Sequence, residues 1–209
     1  MTPEAFAARH PRLWRISPRG SAESIRRHGL LCAASLARLA GHALAPTRRP
    51  RAVPLVLPCG ARAALTDNAP LSEARLARVL DDGLTPADWI GMLNARVFFW
   101  PDQETGKRNA AARRRLGYLD EWHAFDTLAL LAPAWDRAEV APINTGATVH
   151  APPRRGFATF APLTDLDLDA WRRRRRDAGV VKGLDVVREV TVLGDLPRAA
   201  DALRDVILA

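Results

Sequence analysis

The chain has 209 residues, a length that fits one compact domain better than two, so we expect a single domain over residues 1–209. Hydrophobic residues make up 48% and charged residues 26% of the chain, a balance that excludes a predominantly disordered protein. Thirty-one basic residues outweigh 23 acidic ones, which leaves a net charge of +8. Such a charge attracts polyanions and anionic cofactors, although heavy use of alanine and arginine can also follow from the base composition of a genome.

The cysteines and the N-terminal sequence limit the metal chemistry and the compartment. Cys32 and Cys59 do not form a C-x-x-C pair, which argues against a disulfide framework and a cysteine-rich zinc site. The first residues, Met1-Thr2-Pro3-Glu4, contain an acid and lack the apolar segment of a signal peptide. The longest weakly polar stretch, residues 30–45, is interrupted by Arg38 and cannot span a bilayer. We therefore expect a cytoplasmic protein that binds neither a metal ion nor a membrane.

Capping patterns predict helices, mainly in the first half of the chain. Thr2-Pro3-Glu4 and Thr85-Pro86-Ala87-Asp88 each place a threonine N-cap before a proline and an acid in the first turn. Gly29 fits the C-terminal end of a helix that Ser21 caps. Helices are predicted over residues 3–9, 21–28, 34–40, 86–93 and 105–116, with another one opened by Ser72.

Short apolar runs predict strands, and most of them fall late in the chain. Strands are predicted at residues 13–16, 53–57, 97–100, 124–131, 140–149, 156–160 and 186–193, with one more helix at 166–176. Helices crowded in the N-terminal half and strands in the last third favour an α+β fold over a doubly wound parallel sheet.

Several common catalytic motifs are missing from the sequence. Gly106-Lys107 lacks the upstream glycine and the following Ser or Thr of a phosphate-binding P-loop. The sequence also contains no G-x-G-x-x-G after a strand, no G-x-S-x-G and no H-E-x-x-H. A P-loop NTPase, a serine hydrolase of the nucleophile-elbow type and a zincin are therefore poorly supported.

Several segments together resemble a known family. They are Leu13-Trp14-Arg15-Ile16, Ser24-Ile25-Arg26-Arg27-His28-Gly29-Leu30-Leu31, Asp82-Gly83-Leu84-Thr85-Pro86, Leu93-Asn94-Ala95-Arg96-Val97-Phe98-Phe99-Trp100, and Pro142-Ile143-Asn144-Thr145-Gly146 with Arg155-Gly156 and Thr159-Phe160. This series resembles an uncharacterised bacterial family of about this length, a domain of unknown function. The resemblance covers roughly residues 10–205, which is nearly the whole chain.

That family is in turn similar to the DNA-targeting ADP-ribosyltransferase toxins. In those enzymes a first strand carries His or Arg, a helix ends in a Gly-Leu-Leu-type turn, an aromatic strand follows and a late strand supplies the catalytic glutamate. The corresponding segments are Leu13–Ile16, His28–Leu31, Val97–Trp100 and Glu189. The resemblance implies an ADP-ribosyltransferase-like core with a mixed or antiparallel sheet, NAD as the substrate, and a nucleic acid rather than a protein as acceptor. It also implies a toxin or defence role, with a protein antitoxin as a further partner.

The resemblance assigns roles to particular residues. Glu189 would be the catalytic carboxylate, which stabilises the positive charge that develops as the nicotinamide–ribose bond breaks. Arg15 would anchor NAD in a position where the family usually has histidine, and the wider class uses both residues. The full set of implied NAD-binding residues is Arg15, Ser17, His28, Gly29, Asn94, Arg96, Phe99, Asn144 and Thr145.

Several of these residues also have a structural interpretation. Glu189 could be a solvated strand residue or the partner of a nearby arginine, and Arg15 a surface arginine on a half-buried strand. His28 and Asn94 could satisfy helix ends, and Phe99 could belong to the core because strand aromatics usually do.

Five consecutive arginines, Arg172, Arg173, Arg174, Arg175 and Arg176, form a candidate contact for a nucleic-acid backbone or a solvated turn. Two further basic clusters are Arg113–Arg115 and Arg48, Arg49 and Arg51. The alternatives to an enzyme are a non-catalytic nucleic-acid-binding module on the same scaffold and one half of a protein pair or oligomer.

Overall fold

The structure, a computed structural model, describes residues 1–149, 151–177 and 187–209. The helices are α1 (Pro3–Arg9), α2 (Ser21–His28), α3 (Ala33–Leu39), α4 (Glu73–Ala77), α5 (Pro86–Asn94), α6 (Gln103–Arg115), α7 (Thr127–Leu131), α8 (Leu168–Asp177) and α9 (Ala199–Ala202). The strands are β1 (Arg12–Pro18), β2 (Val53–Val56), β3 (Arg62–Leu65), β4 (Arg96–Phe99), β5 (Asp120–Asp126), β6 (Ala138–Ala141), β7 (Ala161–Pro162), β8 (Glu189–Leu193) and β9 (Leu203–Leu208). Short 3₁₀ helices cover Ala132–Arg137 and Phe157–Thr159.

Local capping determines several helix boundaries, as the sequence predicts. The Thr2 hydroxyl accepts a hydrogen bond from the N–H of Ala5 at the start of α1. Thr85 and Asp88 form a complete capping box at the start of α5. Gly29 ends α2 with a φ of +71°, a left-handed conformation that favours glycine.

Antiparallel pairing connects the strands in the described part of the chain. One sheet has the order β1-β5-β9, a second has the order β4-β8-β6-β7, and β2 and β3 form a hairpin. Trp14 of β1 and Trp100, directly after β4, exchange two backbone hydrogen bonds of 2.9 and 2.7 Å. This bridge joins the two larger sheets, so their facing sides share one core.

Both faces of the four-stranded sheet are covered. One face packs into the main core, where Val97, Phe99, Val190 and Val192 lie among side chains from the three-stranded sheet. The other face carries a second apolar cluster that includes Leu71, Leu76, Trp89, Ile90 and Phe160. A third, smaller cluster joins α3 to the β2–β3 hairpin.

The α+β class with antiparallel sheets is confirmed, but the predicted placement of the elements needs correction. Helices are not concentrated in the N-terminal half, because the long helices α6 and α8 lie after residue 100. The predicted strand 124–131 ends at Asp126, since the Asp126 carboxylate caps α7 by accepting from the N–H of Ala129 at 3.0 Å. The predicted strand 156–160 is a 3₁₀ turn, and the predicted strand 140–149 is wrong beyond Ala141, where β6 ends. The strands β3 and β9 have no counterpart in the prediction.

Candidate functional site

A cavity of about 290 Å³ lies beside the junction of the two larger sheets. Its wall is built by β1, β4 and the first residue of β8, by α3, β3, α6 and the end of α5, and by the segments 66–70 and 144–147. Small-molecule sites in proteins span about 300–1,000 Å³, so this cavity has the size of a small one.

The structure brings most of the predicted catalytic and NAD-binding residues to this cavity. Seven of the ten line it: Arg15, Asn94, Arg96, Phe99, Asn144, Thr145 and Glu189. They come from three strands, the end of α5 and a loop, and antiparallel pairing of those strands is what places them together.

Glu189 is the first residue of β8 and is only 8% exposed. Its Oε2 accepts hydrogen bonds from the backbone N–H of Thr145 at 3.1 Å and from the Thr145 hydroxyl at 2.6 Å. Its Oε1 has no hydrogen bond to any residue that the structure describes. Burial raises the pKa of Glu189 to about 7, although the two bonds from Thr145 and the charge of Arg155 act in the opposite direction.

Arg155 supports the segment that holds Glu189. Its side chain is 1% exposed, and its Nη1 donates to the carbonyl oxygens of Thr145 and Ala147, both at 3.1 Å. Its Nε donates to the carbonyl oxygen of Pro153 at 3.2 Å, whereas its Nη2 is buried without a described partner. Burial lowers the pKa of Arg155 to about 10, so the side chain stays charged at neutral pH.

Arg15 lies on β1 and also lines the cavity. Its Nη1 donates to the carbonyl oxygen of Phe98 at 3.0 Å, and its Nε is buried without a described partner. Burial lowers the pKa of Arg15 to about 10. A half-buried, charged arginine with an unpaired Nε can donate to an anionic ligand in the cavity.

A buried acid–base pair lies next to Arg15. His123 of β5 is opposite Arg15 in the β1–β5 register, and its Nε2 lies 2.9 Å from Oε1 of Glu121. The Glu121 carboxylate also accepts from the N–H groups of Gly20 and Ala22 at the start of α2, at 3.0 and 2.9 Å. Burial lowers the pKa of His123 against the opposing effect of Glu121, and the charge of Arg15 lowers it further.

Two more arginines line the cavity. Arg49 Nη1 donates to Asn94 Oδ1 at 3.0 Å. Arg113 of α6 forms ion pairs with Asp67 and with Asp120, with a distance of 2.6 Å between Arg113 Nε and Asp120 Oδ2. Two of the three predicted basic clusters therefore each contribute one arginine to this cavity.

Arg96 and Phe99 border the cavity but are engaged in packing. Arg96 Nε lies 2.7 Å from Oε2 of Glu139, and its guanidinium stacks on the ring of Phe160 at 4.1 Å. Phe99 is 1% exposed and packs edge-on against Phe125 in the main core. These contacts match the structural interpretation of Phe99 and give Arg96 a role in holding the sheet together.

The other three predicted NAD contacts do not line the cavity as the structure describes it. Ser17 is buried on β1 opposite Glu121. His28 ends α2, and its Nε2 lies 3.2 Å from the thiol of Cys59. Gly29 ends the same helix.

The five arginines lie on α8, away from the cavity. Trp171, the residue before them, is buried in the main core and anchors the helix. Arg172 pairs with Asp169 at 2.9 Å, and Arg173 and Arg176 are exposed. Residue 186 of the predicted strand 186–193 lies outside the described residues, and β8 begins at Glu189.

Among the residues that the structure describes, no group of three or more His, Cys, Asp or Glu side chains is arranged to hold a metal ion. Within the same residues, no helix combines the length and apolar character needed to cross a membrane.

Sequence reasoning missed two features of the site. Arg155 belongs to the Arg155-Gly156 motif, but nothing local indicates that its side chain points to the Glu189 side of the sheet. Glu121 and His123 are two positions apart on β5, and this i, i+2 spacing within a strand was the available signal for a shared face.

The fold and the cavity define an α+β protein with antiparallel sheets and a buried carboxylate in a cation-lined site. The profile of a family of unknown function, DUF7002, matches residues 11–203, so the chain belongs to that family. This match confirms the resemblance to a domain of unknown function. Neither the curated proteins nor the solved structures contain a match to the chain.

Proposed function

We propose that this protein is an ADP-ribosyltransferase that uses NAD as its substrate, and that its acceptor is a nucleic acid rather than a protein. One observation carries the proposal: Glu189 and Arg15, the two residues to which the resemblance assigns the chemistry, line the same cavity. The antiparallel sheets that position them support an ADP-ribosyltransferase-like core.

Glu189 has the environment that this reaction needs. The bond between the nicotinamide nitrogen and C1′ of the ribose breaks, and the electron pair leaves with neutral nicotinamide. The ribose carries an oxocarbenium-like positive charge at that point, which a nearby carboxylate stabilises. The acceptor atom then bonds to C1′ and loses a proton. Thr145 fixes Oε2, so Oε1 is the oxygen atom available to the ribose or to that proton.

The raised pKa of Glu189 makes the proposed activity dependent on pH. At a pKa of about 7 the carboxyl group is half protonated at neutral pH, and only the ionised form stabilises the oxocarbenium charge. We expect activity to rise as the pH increases from 6 to 8, because deprotonation then produces the active carboxylate.

The cations of the cavity suit the anionic part of NAD. Arg15 has a buried Nε that can donate to a phosphate or ribose oxygen atom, and Arg49 lines the same cavity. The apolar side chains of Leu31, Leu36 and Leu65 line the same space and can contact an aromatic base.

The basic charge of the chain supports a nucleic-acid acceptor. The net charge of +8 and the exposed Arg173 and Arg176 of α8 attract a phosphate backbone. A toxin or defence role with a protein antitoxin follows from the resemblance, as part of the same proposal.

Transfer from labelled NAD to separate pools of DNA, RNA and protein tests the proposal. Wild-type protein is expected to label one nucleic-acid pool, and Glu189→Gln is expected to reduce labelling at least about 100-fold, the size of effect seen when an electrostatic contact to a transition state is lost. Arg15→Met is expected to weaken NAD binding. Glu23→Gln, which changes an exposed carboxylate on α2, is the matched control and should keep wild-type activity.

A second candidate is a non-catalytic nucleic-acid-binding module, which the charge of +8 favours. It predicts salt-dependent binding of DNA or RNA that Glu189→Gln does not change. The absence of both labelling and an NAD-dependent thermal shift would overturn the transferase proposal and favour this second candidate.

A further inference from the structure

A chain of direct contacts links Arg155 to the proposed catalytic carboxylate through Thr145. Arg155 Nη1 donates to the carbonyl oxygens of Thr145 and Ala147, at 3.1 Å each. The N–H and the hydroxyl of Thr145 donate to Oε2 of Glu189, at 3.1 and 2.6 Å. The side chains of Thr145 and Arg155 are 0% and 1% exposed, so water does not compete for these bonds.

Buried side chains bind the polar groups of the segment 144–147. It is a turn outside the strands and helices, and a lone turn is free to move unless side chains bind its polar groups. Arg155 binds two of its carbonyl oxygens, and the indole Nε1 of Trp89 donates to the same Thr145 carbonyl oxygen at 3.3 Å. The Arg155 guanidinium also lies 5.8 Å from the centre of the Trp89 ring.

We propose that Arg155 is a positioning residue for Glu189. By fixing the segment 144–147, it directs the N–H and hydroxyl donors of Thr145 to Oε2, so that Oε1 stays available in the cavity. This inference deepens the proposed transferase function and rests on it. Arg155 does not line the cavity, so it acts on the reaction through Thr145 and not by touching NAD.

The position of Arg155 is itself fixed by its neighbours. Its N–H donates to the carbonyl oxygen of Val79, and its carbonyl oxygen accepts from Asp81, both at 2.8 Å. A Cβ atom on the next residue, Gly156, would lie 2.2 Å from a carboxylate oxygen of Asp82, so a side chain there would displace the carboxylate that accepts from the N–H of Phe157 at 2.8 Å. These contacts hold the backbone of Arg155 in place and favour glycine at the next position.

Other charged groups near Glu189 are accounted for. Glu139 of β6 and Arg96 of β4 lie further along the same face of the sheet and neutralise each other at 2.7 Å. Arg15 of β1 lines the same cavity. Arg155 is the charged group whose attraction to the Glu189 carboxylate opposes its burial, so its removal is expected to move the titration of Glu189.

The test measures the titration of Glu189 by carboxyl-carbon NMR on the full chain without NAD, with Glu189→Gln to assign the signal. Arg155→Met removes the positive charge and the hydrogen bonds to the carbonyl oxygens of Thr145 and Ala147. We expect it to raise the pKa of Glu189 by about one unit. Arg155→Lys keeps the charge and can still donate to the carbonyl oxygens, so it should restore most of the wild-type value. Arg154→Met, which changes the exposed neighbour paired with Asp81, is the matched control and should leave the titration unchanged.

The same variants are then compared in the pH profile of NAD transfer. Arg155→Met is expected to lower kcat at least about 10-fold, to leave KM for NAD within about 2-fold, and to shift the profile to higher pH. If the Arg155→Met protein folds and the pKa of Glu189 is unchanged, the inference is overturned. Should Arg155→Met not fold, Thr145→Val decides: a raised Glu189 pKa supports the chain of contacts, and an unchanged one overturns it.

The two proposals can fail separately. If the pKa of Glu189 changes in Arg155→Met but the wild-type protein labels no acceptor, the positioning role is supported and the transferase function is overturned. If transfer occurs and is lost in Glu189→Gln while Arg155→Met behaves like wild type, the function stands and the positioning role fails.

Discussion

Glu189 combines a buried carboxyl group with two hydrogen bonds from the described residues, both at the same oxygen atom. A carboxylate in that position loses hydration that the protein replaces only in part, and its pKa rises for this reason. This incomplete replacement of hydration suits a role in proton transfer, but it also destabilises the folded protein when the carboxylate is ionised.

The stability of the protein should reflect this cost. The pKa of Glu189 is raised from 4.5 to about 7 on folding, so the folded state holds a proton that the unfolded state releases between those pH values. Its favourable contribution is complete below pH 4.5 and is lost as the pH rises through 7. Since one pKa unit corresponds to about 1.4 kcal/mol, Glu189→Gln should gain up to about 3 kcal/mol relative to wild type between pH 4.5 and pH 8.

Urea unfolding at a series of pH values measures this difference. The control is Glu23→Gln, which changes an exposed carboxylate of α2 and should not show this rise in stability between pH 5 and pH 8. A difference between wild type and Glu189→Gln that is the same at pH 5 and at pH 8 would contradict the burial argument.

Gly29 illustrates a second residue whose role is structural. Its φ is +71°, and a Cβ atom on it would lie 2.2 Å from the carbonyl oxygen of Leu196. Gly29→Ala should therefore lower the free energy of unfolding by at least about 2 kcal/mol, because backbone strain and a clash add together. Gly20→Ala is a close control: its φ is +88° and its Cβ would have open space, so about 1 kcal/mol is expected. If thermal unfolding shows the same loss of stability in both variants, the clash with Leu196 does not contribute.

At the scale of elements, one polar cluster connects three strands of the four-stranded sheet. Arg96 of β4 and Glu139 of β6 form a fork-shaped pair at 2.7 and 3.1 Å across β8, and the hydroxyl of Thr191 on β8 donates to the same carboxylate at 3.0 Å. The pair lies under Phe160 and is mostly buried. A buried pair of this kind specifies the alignment of its strands more than it adds stability.

Removing one partner of this pair should be costly. Arg96→Met leaves the Glu139 carboxylate buried without its partner, and we expect a loss of about 3–5 kcal/mol in urea unfolding. Arg198→Met breaks the exposed pair with Asp201 and should cost less than about 1 kcal/mol. The double change Arg96→Met with Glu139→Met should recover part of the loss, and an equal or larger loss would contradict the unpaired-charge explanation.

At the scale of the whole molecule, the charge of +8 predicts association with polyanions. Arg173 and Arg176 are exposed on α8, so the pair of changes Arg173→Gln and Arg176→Gln should lower the slope of log K against log salt for duplex DNA by about 1 to 2. Arg62→Gln with Arg78→Gln removes the same charge from other exposed positions and should change the slope less. Equal effects of the two pairs in a fluorescence titration would indicate a diffuse charge effect instead of a binding face on α8.

The sequence predicted those elements whose signals are local. The starts of α1 and α5 and the end of α2 depend on residues within one turn of the boundary, and those residues are sufficient to define them. The ends of β5 and the identity of residues 157–159 were predicted wrongly, because an apolar run fits a strand or a buried helix equally well. The strand β9 was missed because it pairs with β5, far away in the sequence.

By itself, the sequence determined the α+β class, the basic charge, the family and the candidate residues Arg15, Thr145 and Glu189. Only the tertiary structure decided that those residues meet in one cavity, that Arg96 and Phe99 are held in packing contacts, and that Arg155 supports the Glu189 site. The physical reason is the range of the interactions. Capping and charge depend on nearby residues and on composition, whereas the hydrogen bonds and the burial that set the pKa of Glu189 come from Thr145, 44 positions away, and from strands that pair only in the folded chain.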